Sequence, residues 1–183
     1  MTRVPTLALF LFAGGMVFAQ TQFPWVANLL GTPICLLPAL VVYTILTHGM
    51  GTLGLFAFWM GLGLDALSSN PMGTSILPLF LVGFLLHLRR HLILRDQAYA
   101  QFWLGFAASI ALHALTWTVL HLNGRNPITG PWTLWQVLIS AILNGTICPL
   151  LFVFFDALRN TFDYQPLTEG SFRPDREIKR GRT

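Results

Sequence analysis

The sequence predicts an all-α integral membrane protein, a compact bundle of about six transmembrane helices. Three observations predict it. Only 10% of the 183 residues are charged and 54% are hydrophobic, whereas a soluble domain carries about 25% charge. The charges are also segregated, with no Asp, Glu, Lys or Arg from Val4 to Leu64, Ala66 to Leu88, Gln97 to Gly124 or Asn126 to Phe155. Finally, the apolar runs approach the ~20 residues a helix needs to cross a ~30 Å hydrocarbon layer. This composition excludes a soluble globule, a disordered chain and a disulfide scaffold.

The first span, Val4 to Gln20, is followed by Gln20, Thr21, Gln22, Phe23, Pro24 and Trp25, residues suited to headgroups and to a turn. Arg3, the apolar run and Val17-Phe18-Ala19 also fit a secretory signal peptide, but retention is expected because another span follows quickly. The second, Ile34 to Thr47, rises only ~21 Å as a helix, and Pro33 and Pro38 interrupt its beginning. Irregular backbone at that depth must be covered by protein or face a cavity.

Gly51 to Leu67 is the third span, after His48, Gly49 and Met50; Thr74 to Leu94 is the fourth, after Ser68, Ser69, Asn70 and Pro71. Tyr99 to His121 and Thr133 to Phe155 complete the set. No run alternates with period two, so helices are predicted rather than a barrel. In the last span Asn144, Gly145 and Pro149 lie centrally. The proline frees a carbonyl for Asn144 or Thr146 to satisfy, and a kink is expected.

Charge fixes the expected direction. With both termini cytoplasmic, inner flanks hold Arg3, Arg89, Arg90, Arg95 and six basic residues from Arg159 to Arg182, and the outer loops hold Arg125 alone. The bundle is assigned to residues 1–160, and residues 161–183 to a basic, flexible cytoplasmic tail drawn to anionic lipid. The net charge of +4 therefore points to membrane lipid and not to nucleic acid. Cys35 and Cys148 lie within apolar runs and read as packed hydrophobes.

Asp65 is the only acid before Asp96 and falls near the outer end of the third span, below the headgroups. A buried acid needs a partner. His121 and Arg125 are expected as its partners, with Ser68, Ser69 and Asn70 available for local bonds at the helix end. A functional role and a structural one at a helix-loop junction are equally compatible with its position. His87 and His91 share a helical face, but Arg89 and Arg90 between them repel a cation. His113, Trp117 and His121 form a stripe read as packing between helices. Small residues such as Gly14, Gly15, Gly51, Gly54, Gly61 and Gly145 permit close helix contacts. No nucleophile elbow, zincin motif or phosphate loop occurs, so the residues lend intramembrane hydrolysis no support without excluding it, and no metal or cofactor is expected.

The segment from Gly61 through Asp65 and Pro71 to Gly73 resembles the Gly-x-x-x-Asp and Pro-x-Gly signature of the rod shape-determining MreD family. Arg89 and Arg90 at the inner end of the fourth span, and the pairing of Ala141-Ile142-Leu143-Asn144 with Cys148-Pro149-Leu150-Leu151, are further points of likeness. The resemblance extends roughly from Pro5 to Arg159, and the acidic and basic tail departs from it. It implies a non-enzymatic subunit of the bacterial elongation complex in the cytoplasmic membrane. The implied partners are an MreC-like protein, together with the actin-like MreB, the glycosyltransferase RodA and a class B penicillin-binding protein. It also implies a bundle similar to the substrate-capture subunits of energy-coupling-factor transporters. The alternative function is accordingly a vitamin-type small-molecule binder, which calls for a cavity lined by Asp65, His121 and aromatic residues.

Overall fold

A computed structural model describes residues 3–22, 35–68, 71–89, 97–124 and 130–162. Six helices and no strands occur among them: α1 Arg3–Gln22, α2 Leu37–Thr47, α3 Met50–Leu67, α4 Ile76–Arg89, α5 Ala98–Leu122 and α6 Pro131–Phe162. Three of these, Met50–Leu67, Ala98–Leu122 and most of α6, are long and apolar enough to cross a membrane. The chain is therefore a helical protein with the properties of a membrane protein. Arg90, His91, Arg95, Arg125 and the tail from Asp163 onward lie outside the described residues, as does Pro33.

α2 is the centre of the bundle. Its 11 residues rise only ~16 Å, and Leu37 through Ile45 are all buried. It packs against all five other helices, so protein rather than lipid surrounds its short length. Pro38 falls in the first turn, where the missing N–H is one that the helix leaves unpaired in any case, and so it starts α2 instead of breaking it. The hydroxyls of Thr44 and Thr47 donate to the carbonyls of Leu40 and Tyr43 at 2.7 and 2.6 Å, which removes their polarity from the core. The chain then reverses through His48 and Gly49, whose φ of 94° favours glycine, directly into α3.

The remaining helices each turn one face to this centre. α1 contributes Leu9, Ala13 and Val17, one residue per turn, while Leu7, Leu11 and Phe18 are exposed. α5 buries Gln101, Gly105, Ala108, Ser109 and Leu112, a run of three- and four-residue steps that packs on α6 in the most extensive pairing of the fold. Gly105 makes that pairing close: a Cβ there would meet the Asn144 carbonyl oxygen at 2.7 Å and Cys148 Cβ at 2.8 Å. Toward the far end of the core, Tyr43 stacks on Phe155 with ring centroids 4.7 Å apart and meets Phe152 edge-on at 5.1 Å.

α6 is longer than the predicted span, with 32 residues, and remains helical through Pro149. The carbonyl that this proline leaves unpaired is that of Gly145. Neither expected side chain reaches it, because helical hydroxyls and amides bond upstream carbonyls: Thr146 Oγ1 donates to Ile142 at 2.9 Å and Asn144 Nδ2 to Ser140 at 2.8 Å. The first turns of α6 are poorly covered, with Trp132, Leu134, Trp135 and Leu138 exposed.

Candidate functional site

The connection from α3 to α4 gathers four of the residues marked by the sequence. Asp65 lies two residues before the end of α3 and is 2% exposed. Its Oδ2 accepts the N–H of Gly73 at 2.8 Å and of Ser75 at 3.1 Å, while its Oδ1 accepts the Ser75 hydroxyl at 2.5 Å. Ser75 is also where α4 begins, since its carbonyl accepts the Leu79 N–H at 3.2 Å. The carboxylate thus closes the start of α4, where N–H groups lack helical partners and the positive end of the helix dipole lies.

The rest of the connection is shaped around that contact. Ser68 N–H donates to the Asp65 carbonyl at 3.3 Å and ends α3. The Pro71 carbonyl accepts both the N–H and the hydroxyl of Thr74, at 3.2 and 2.7 Å, which tightens the turn. Gly73 has a φ of 94°, a conformation side chains disfavour, and it presents its N–H to Asp65. One helical turn before Asp65, a Cβ on Gly61 would lie 2.8 Å from Ile76 Cγ1, 2.9 Å from its Cα and 3.0 Å from its nitrogen. Only glycine lets the first residue of α4 rest there unshifted. Gly61, Asp65, Pro71 and Gly73 therefore form one folded unit. Chemically it is a latch: both carboxylate oxygens are occupied by donors from the same connection.

Of the two side chains expected to pair with Asp65, only His121 lies among the described residues. His121 is exposed on the last turn of α5, and Arg125 lies outside the described residues, as do Ser69 and Asn70. Sequence reasoning missed Ser75, although a serine just before an apolar helical run is a recognisable helix start. It also missed Gly83, whose lack of a side chain admits Leu53 of α3 against α4, and Gly105.

Asn144 and Pro149 sit apart from the latch. Asn144 is fully buried, and its Nδ2 donates to the carbonyls of Cys35 and Ser140, both at 2.8 Å, with Ser109 Oγ at 3.3 Å. Two carbonyls can only accept, so this contact fixes which end of the amide is nitrogen. The amide ties the entry of α2 to α5 and α6. Its Oδ1 and the Ser140 hydroxyl have no partner among the described residues. Pro149 faces a shallow cleft with Gln101 and Asp156.

Between the latch and this amide is a half-enclosed cavity of about 190 Å³. Leu64, Ser75 and Leu79 from the α3–α4 side and Leu112, His113, Thr116 and Trp117 from α5 line it, with Cys35 and Leu120. Neither Asp65 nor His121 is among its walls. His113 and Trp117 thus share a face as the sequence spacing indicated, and that face borders the cavity. His87 is half-buried on α4, His91 is not described, and no group of three His, Cys, Asp or Glu gathers among the described residues. Cys35 and Cys148 are free thiols.

Comparison of the chain with protein-family models, with curated proteins and with solved structures finds no match.

Proposed function

We propose that this chain is a non-enzymatic membrane subunit of a bacterial cell-elongation complex. It supports cell shape and lateral peptidoglycan synthesis through helix contacts with an MreC-like partner. The observation that carries the reading is the interdependence of Gly61, Asp65, Pro71 and Gly73, the residues on which the family resemblance rests. Gly61, Asp65 and Gly73 each meet a specific demand of the α3–α4 junction, a close approach, a buried acceptor and a positive φ, with Pro71 in the same turn, so the motif has a physical reason to occur as a set. A fold whose one buried acid among the described residues serves its own architecture is suited to holding partners in place.

Further support comes from the glycines that the bundle leaves uncovered. Gly14 and Gly15 of α1 and Gly51, Gly54 and Gly63 of α3 have nothing within 4 Å of an added Cβ, and α1 packs beside α3. Open small residues on neighbouring helices let a further helix approach closely, the contact that drives association where lipid cancels the hydrophobic effect. The bundle takes its place in the cytoplasmic membrane with both termini inside, where MreB, RodA and a class B penicillin-binding protein complete the assembly. Purification from the native host in mild detergent tests the proposal: recovery of a single-span MreC-like protein supports it. Repeated recovery of the intact bundle without any wall-synthesis protein counts against it.

A further inference from the structure

Beyond a scaffold role, we infer that the cavity between α3, α4 and α5 is a binding site for a small neutral ligand, one or two fused rings in size, that carries a single hydroxyl group. Its size sets the first limit. At about 190 Å³ it exceeds a ~150 Å³ apolar cavity that accepts benzene, and it is too small for a sugar nucleotide or a whole lipid. Its lining sets the second, because Leu64, Leu79, Leu112 and Leu120 are apolar and Trp117 supplies a flat aromatic surface.

The polar specificity comes from His113. Its Nδ1 lies 2.8 Å from the Ser109 carbonyl oxygen, which can only accept, so Nδ1 carries the ring proton. In the neutral ring Nε2 is then an acceptor, and it has no protein partner among the described residues. The hydroxyl protons of the wall are committed, Ser75 to Asp65 and Thr116 to the Leu112 carbonyl at 2.8 Å, so these groups offer only oxygen lone pairs. A ligand O–H therefore finds in the imidazole nitrogen the most basic acceptor of an otherwise greasy site. The frame is rigid at this point: Asn144 holds both the Cys35 carbonyl and the Ser109 hydroxyl, tying together two of the backbone segments that border the cavity. Such a pocket, apolar with one fixed polar group, is the usual form of a small-molecule site.

Cys35 is partly exposed and lines the cavity, whereas Cys148 is fully buried elsewhere, so alkylation at Cys35 reports on the cavity and any at Cys148 reports on opening of the fold. The full chain in phosphatidylcholine nanodiscs is alkylated with N-ethylmaleimide in the presence of 2-naphthol or of naphthalene, and each cysteine is followed by peptide mass spectrometry. The expected result is saturable slowing at Cys35 alone, with 2-naphthol effective at about five-fold lower concentration than naphthalene, the difference one hydrogen bond makes. His113→Phe should erase that preference, and Leu120→Trp, which fills the cavity, should abolish protection by both probes. Quenching of Trp117 emission by 2-naphthol, taken as the difference between the wild type and Trp117→Phe, reads the same site without any cysteine. Equal potency of the two probes, parallel slowing of Cys148, or absence of the Trp117-dependent quenching would each overturn the inference. A Cys35 that neither probe affects, because a lipid chain already fills the site, would overturn it as well.

Discussion

Replacing Asp65 with alanine removes the acceptor for two backbone N–H groups and one hydroxyl at a site 2% exposed. The Ser75 hydroxyl can rotate toward another acceptor, but the N–H groups of Gly73 and Ser75 are fixed by the turn. With a buried donor left unpaired at about 1–3 kcal/mol each, the substitution should cost about 3–5 kcal/mol. Ser75→Ala loses only the side-chain bond and should cost about 1–2 kcal/mol. Since that bond does not exist once the carboxylate is gone, the double variant should be no less stable than Asp65→Ala alone, a coupling of about 1–2 kcal/mol. Asp65→Asn should be milder than alanine, because its remaining carbonyl oxygen still accepts and its amide can donate to the Ser75 oxygen. Thermal unfolding in detergent, followed by loss of the monodisperse chromatographic peak, gives the comparison. Asp65→Ala should unfold roughly 10 °C below the wild type. An Asp65→Ala protein as stable as the wild type, or a full additional loss from Ser75→Ala in its background, would refute the latch.

The glycines provide a graded series. Gly61→Ala and Gly105→Ala force a methyl group onto Ile76 and onto Asn144 and should each destabilise by about 1–3 kcal/mol, whereas Gly54→Ala meets open space and should be neutral or slightly stabilising; unfolding temperatures check all three. Gly73→Ala keeps the space but strains a φ of 94°, and should lower stability by about 1 kcal/mol in the same assay. Asn144→Ala leaves the Cys35 carbonyl without its donor from α6 and should cost about 2 kcal/mol, with amide hydrogen exchange accelerating first at the start of α2.

Much of the architecture is legible because hydropathy and charge gaps are strong signals over twenty residues. Each predicted run contains one of the six described helices or most of it, although α6 extends seven residues past its predicted end, residues 90–94 of the fourth run lie outside the described residues, and three of the six helices are long enough to span. What the sequence does not disclose is that α2 is central, a property of contacts with five partners rather than of its own eleven residues. For Asp65 the residue and its neighbourhood are readable, since a lone acid in an apolar run must be paired. The identity of the partner is not, because Ser75 acts mainly through backbone geometry that Gly73 creates, and a search for complementary charge turns instead to His121 and Arg125. Gly61 is readable as a small residue suited to close helix contact, and Gly73 only as part of a motif; that the close neighbour of Gly61 is the first residue of α4, and that Gly73 holds a left-handed turn, appear only in three dimensions. The cavity was likewise out of reach, for spacing places His113 and Trp117 on one face without saying that the neighbouring helices stop short of filling it.

Depletion of the protein in its native host tests the proposed role most directly. The account predicts that rod-shaped cells round up and that lateral wall incorporation falls, while uptake of vitamins continues unchanged. Cells that keep their shape but become dependent on an external nutrient would contradict it.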